Sequence, residues 1–182
     1  IYGAANKKSV QCRLGFSMIS KASGTLDIND QKALDRLESE LVSFREHMHL
    51  HADLEEKLIH PLLSERVPGG DNRLNEDHLV IHRHFDELIA CFRKIKKKPN
   101  DFEKRELSLE FYLAWSRFTS FYFNHIDYEE ENAVSSLSRL CTNDELTNTF
   151  KQILADQTPK ELMDNLAMSL CSLIKGPIGI NS

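Results

Sequence analysis

Apolar residues recur along this chain in steps of three and four, the spacing that gathers side chains on one face of an α-helix. The stripe is nearly unbroken in its second segment: Leu34, Leu37, Leu41, Phe44, Met48, His51, Glu55, Leu58 and Leu62. It predicts a long helix with Asp27 or Asp30 as its N-terminal cap. Pro61 falls inside the pattern and predicts a kink in the last turns. The stretch from Ser64 to Asp71, with Pro68-Gly69-Gly70 inside it, supplies a stop and a loop.

A third segment reads Leu74, His78, Ile81, Phe85, Leu88, Phe92 and Ile95, and ends at Lys98-Pro99. The fourth opens on Asn100 and Glu103 in capping-box spacing. It continues through Leu107, Phe111, Ala114, Phe118, Phe121 (with Tyr122 beside it), His125, Glu129 and Ala133. A weaker first segment holds Ser9, Cys12, Phe16, Ile19 and Ser23 and stops near Gly24. Short loops between long amphipathic helices favour antiparallel neighbours. The expected fold is therefore all-α: an up-down-up-down four-helix bundle over residues 1–140. Two short C-terminal helices over 141–175 are expected to pack on it, starting at Thr142-Asn143-Asp144-Glu145 and at Thr158-Pro159-Lys160-Glu161. Residues 176–182 read as a tail.

Composition adds little to this picture but excludes several classes. Seven glycines and five prolines are too few for a β-protein full of tight turns. A net charge of −5 argues against a broad nucleic-acid surface. The basic run Arg93-Lys94-Ile95-Lys96-Lys97-Lys98 reads as a cationic helix end that complements the macrodipole. Cys12, Cys91, Cys141 and Cys171 show no paired spacing, which fits neither a zinc ribbon nor a disulfide framework. No signal-peptide pattern and no apolar run of membrane-spanning length is visible, so a reducing, cytoplasmic setting without membrane partners is expected.

Candidate chemistry changes the picture most. Three apolar stripes are interrupted by polar pairs at i, i+4: His51 and Glu55, His78 and His82, His125 and Glu129. That spacing places both members of a pair about one turn apart on one face, where they can converge on one ion. Imidazole and carboxylate are ligand types for iron, zinc or manganese. A buried glutamate without a partner costs several kcal/mol, a cost that a bound cation offsets. One such pair alone more often reflects a hydrogen-bonded core histidine or a solvated face; three at compatible depth favour metal binding. His47, His49, His60 and His84 fall off the stripes and are read as surface or outer-shell residues; His47, one turn before His51, is the one that could complete the site.

These motifs together resemble the hemerythrin-like (HHE cation-binding) family. The segment from His51 to Leu63, with Glu55-Glu56 and Pro61, looks like that family's second-helix signature. Asp77-His78 with His82 is similar to the third, and His125-Ile126-Asp127-Tyr128-Glu129-Glu130 to the fourth. Ferritin-like di-iron proteins are the nearest rival, but their Glu-x-x-His motif occurs only at Glu46-His49, off the stripe. The resemblance implies a di-iron centre: His78, His82 and His125 on one iron, His51 on the second. Glu55 and a fourth-helix carboxylate, Glu129 or Glu130, would bridge them, with Glu129 preferred. The family's first-helix histidine has no counterpart; Ser9 stands at that place, so a single iron or an asymmetric pair is also open.

The leading functional expectation is a non-haem iron module that binds or senses dioxygen, iron or redox state, with a small diatomic ligand as its partner. The alternatives are an oxidoreductase or stress-repair enzyme acting on peroxide or nitric oxide, and a degenerate bundle used for protein contacts.

Overall fold

The computed structural model describes the backbone of residues 2–98 and 100–158, with side chains from Cys12 onward. The side chain of Ser9 and the helix expected from Pro159 lie outside the described residues, as does the tail. The first apolar stripe forms α1, Tyr2–Gly24. Asp30 rather than Asp27 caps α2, Gln31–Leu54, by accepting from the backbone N–H groups of Lys32 and Ala33. Asp27 instead accepts from the Asn29 N–H in the preceding turn.

The second stripe does not end with α2. The chain widens into a π-helical segment, Glu55–Ile59, and continues as α3, His60–Arg66. Pro61 sits in the first turn of α3, where a missing N–H is tolerated. The wider turn replaces the simple proline kink that the sequence suggests. Next come α4, Asn72–Lys97, and α5, Asp101–Tyr128, the latter capped by Asn100 accepting from the Glu103 N–H at 2.8 Å. A second π-helical segment, Glu129–Val134, leads from α5 into α6, Ser135–Leu140. A capping box between Thr142 and Glu145 starts α7, Asn143–Ala155. No strand occurs among the described residues.

Cross-helix contacts fix the directions. Along α1 and α5, Arg13 meets Asp127 and Ser20 accepts from the Trp115 indole N–H, so residue numbers run oppositely. The same holds for α2 against α4, where Glu38 meets Arg93 and Arg45 meets Asp86. It holds for α4 against α5, where Phe92 meets Phe111 and Phe85 meets Phe118. Helix α7 lies beside the first π segment, held by Lys57 to Asp156 and by Arg66 to Glu145.

The centre of the bundle is aromatic. Phe16, fully buried, packs against Phe44, Trp115, Phe118, Tyr122 and Phe123, joining α1 to α2 and α5. A Cβ added at Gly15 would lie 2.5 Å from Phe44 Cε2, so the absent side chain allows this close approach.

The basic run is mostly spent on ion pairs. Glu38 accepts from Arg93 Nε at 2.7 Å and Lys96 Nζ at 2.5 Å, and Lys96 also reaches Asp35. The Lys96 and Arg93 hydrogen bonds hold the Glu38 carboxyl below its ordinary range despite some burial. Such a lowered pKa contributes stability that is present above the unfolded value and is lost as pH falls through the folded one. Thermal unfolding followed by circular dichroism should therefore show wild type losing part of its advantage over Glu38→Gln below about pH 4. The difference at neutral pH should be no more than about 1 kcal/mol, because the pair is near the surface.

Candidate metal centre

Antiparallel packing brings the end of α2, the start of α4 and the end of α5 to one end of the bundle. There the core changes from aromatic to polar. Glu55, His60, His78 and His125 are all buried, the three histidines at 3% exposure. Glu55 lies among them with its two oxygens turned to different rings. Oε1 is 3.0 Å from His51 Nε2 and Oε2 is 3.5 Å from His78 Nε2.

Two groups of donor atoms converge through this carboxylate. One comprises His51, Glu55 and Glu129, the other Glu55, His60 and His78. Within each group, one ligand atom per residue lies within 4.8 Å of the others. The His125 ring centroid is 4.9 Å from that of His78, which places it at the edge of the second group.

The outer contacts of the buried rings follow a common rule. His78 Nδ1 is 2.9 Å from Glu56 Oε1, His125 Nδ1 is 3.3 Å from Asp77 Oδ2, and His60 Nδ1 is 2.6 Å from Asn75 Oδ1. Each partner is an oxygen that can only accept, so Nδ1 carries the proton and Nε2 is left as the inner nitrogen. Carboxylates and amides that orient histidines in this way are the usual outer partners of metal-ligating imidazoles.

Electrostatics bear on the same question. Burial would lower the His78 pKa, but hydrogen bonding and charge from Glu55 and Glu56 outweigh it and raise it. His125 moves the other way, through burial and the nearby His78. The Tyr122 phenol, fully buried, is pushed well above its ordinary value by burial, then by Cys12 and Glu55. Carboxylate oxygens and imidazole nitrogens buried together form a donor set that suits iron, and zinc or manganese too.

Most of the residues expected from sequence meet here: His51, Glu55, His78, His125 and Glu129. Glu129 joins a convergent group and Glu130 joins neither. His82 is directed elsewhere. Its ring stacks on His49 with centroids 3.8 Å apart, and its centroid is 6.5 Å from that of His78. It lies on the α2-facing flank of α4, off the centreline set by Leu74, His78, Ile81 and Phe85. Burial and the neighbouring His78 lower its pKa. His84 lines a separate groove between α4 and α5 with Cys91, Arg117 and Phe118.

His60 requires correction. The sequence places it off the stripe, on the surface or in an outer shell; the structure buries it within the second donor group. A regular helix period misplaces it because the chain is π-helical from Glu55 to Ile59. Its backbone N–H bonds to the Glu55 carbonyl, an i to i−5 link that brings positions 55 and 60 over one another. The only sequence sign was its place directly before Pro61, five residues after Glu55.

Among the described residues, no helix is long and apolar enough to cross a membrane. No curated protein and no solved structure is similar enough to match the chain. The family profile described as Hemerythrin HHE cation binding domain matches residues 11–136, which run from within α1 to the start of α6 and include every donor named above. The chain belongs to the hemerythrin HHE cation-binding domain family.

Proposed function

We propose that this chain is a non-haem iron protein that binds or senses dioxygen, iron or redox state through the polar end of its bundle. The observation that carries the reading is Glu55: one buried carboxylate belongs to both convergent groups, with one oxygen toward His51 and the other toward His78. Family membership supports the cation, and the donor types support iron over calcium or magnesium, which prefer all-oxygen sites. His51, Glu55, His78, His125 and Glu129 would hold the metal, with one iron or two depending on how both groups fill. His82, also expected from sequence, stacks on His49 and joins neither convergent group. Iron bound there supplies reversible redox change and affinity for small diatomic ligands.

The chain's own residues set the conditions for that chemistry. Glu56, Asp77 and Asn75 hold the inner nitrogens toward the pocket. Tyr122, buried in the aromatic core, lies beside the His125 ring. Protons compete with metal for His78, so affinity should rise with pH.

Optical spectra of reduced, iron-loaded protein test the proposal. A band that appears on oxygenation and reverses on oxygen removal is the expected result for binding or sensing. Steady consumption of peroxide or nitric oxide, abolished by His125→Ala, would instead favour the oxidoreductase or repair reading. Iron loading with neither behaviour would leave redox or iron sensing as the function.

A further inference from the structure

The metal reading leaves open which side chain completes the second donor group. We infer that His60, through Nε2, is a direct ligand of the bound metal in the position that sequence assigns to His82. This rests on the metal-binding reading above and names a ligand that the regular helix pattern does not supply.

Three independent features converge on His60. The first is backbone: the π turn from Glu55 to Ile59 links the His60 N–H to the Glu55 carbonyl, bringing these positions onto one face. The second is orientation. Asn75 Nδ2 donates to Asp71 Oδ2 at 2.9 Å, which fixes the amide so that its Oδ1 faces His60 Nδ1 at 2.6 Å. An amide oxygen only accepts, so the proton sits on Nδ1 and Nε2 presents a lone pair. The third is place: the ring is buried, 5.2 Å between centroids from His78, and one of its nitrogens lies within 4.8 Å of a Glu55 oxygen and a His78 nitrogen.

His82 has none of these. It stacks on His49, and the buried Nε2 atoms of both rings have no hydrogen-bond partner among the described residues. His82 joins neither convergent group, whereas His60 already lies beside Glu55 and His78. Asn75 and Asp71 are then positioning residues that act through His60, in the manner of outer-shell partners elsewhere.

Cobalt(II) is a suitable probe, because its visible bands change with coordination number and with donor type. The full chain and its His60→Gln, His82→Gln and Asn75→Ala variants would be titrated with Co(II) without oxygen, with circular dichroism as the check of folding. His60→Gln should weaken binding at least about 100-fold, beyond the usual range for an outer partner, and shift the visible band. Asn75→Ala should weaken it by about 10-fold and keep the band position. His82→Gln should bind as wild type does. Wild-type affinity and spectrum in His60→Gln overturn this assignment alone. If His60→Gln does not fold, Asn75→Ala decides, and unchanged affinity there overturns it. Absence of Co(II) binding by the wild-type chain overturns the metal reading and this assignment together.

Discussion

Glu55→Ala is expected to weaken metal binding more than any other single change, by at least about 100-fold, while the helical content stays near that of wild type. The reason is position. Glu55 is the one residue shared by both convergent groups, so its loss removes a donor from each at once. It also supplies the negative charge that makes a cation welcome among buried imidazoles. Without it, His51 and His78 lose their inner carboxylate partner, and His78, whose pKa that carboxylate helps to raise, can relax to the neutral form. Glu56→Ala is the informative contrast. Glu56 is far more exposed and touches only the outer nitrogen of His78, so a loss of about 10-fold is expected. Isothermal titration with Fe(II) or Co(II) would rank the two. Equal, small losses would remove Glu55 from the ligand set.

The second large effect concerns the scaffold. Phe16→Ala should destabilise the protein by about 3 to 5 kcal/mol, measured by urea unfolding of the metal-free chain. Phe16 is wholly buried and touches five other aromatic rings drawn from α2 and α5. Those rings are held by one another; Trp115 is further pinned through its N–H to Ser20. They have little freedom to close a cavity, which keeps the cost near the upper part of the range. Tyr122 is the link from this core to the site, since it stacks on Phe16 and lies 5.9 Å from the His125 ring. Metal affinity in Phe16→Ala should therefore fall as well, though by less than in Glu55→Ala. A change in stability below about 1 kcal/mol would contradict this account of the core.

Much of the architecture was legible from residue spacing. Leu34, Leu37, Leu41, Phe44 and Met48 lie on the face that the stripe assigns to the core, and all five are buried. Phe111, Phe118, Phe85, Phe92 and Ile95 behave the same way. Where helical geometry is regular, sequence period and structure agree. The fourth stripe drifts by one residue, with Tyr122 rather than Phe121 fully in the core.

The site was legible only in part, for a local physical reason. His51, Glu55, His78 and His125 sit on regular turns or at the edge of one, and spacing alone brought them together. His60 follows a π turn that adds a residue to the register, and nothing in a three-four pattern announces it. His82 departs from the pattern in the opposite way. Its i, i+4 relation to His78 is real, but the flank it occupies faces His49 on α2, and the two rings stack there. Helical spacing says which residues share a helix face; it does not say which neighbouring helix that face meets.

The central claim is that this polar end of the bundle binds a metal, with iron the expected occupant. Direct elemental analysis of purified chain loaded with ferrous iron without oxygen, then freed of excess metal, tests it. The expected result is at least about one iron retained per chain, given that imidazole and carboxylate donors converge here. Iron well below one per chain, with no other transition metal in its place, would contradict it.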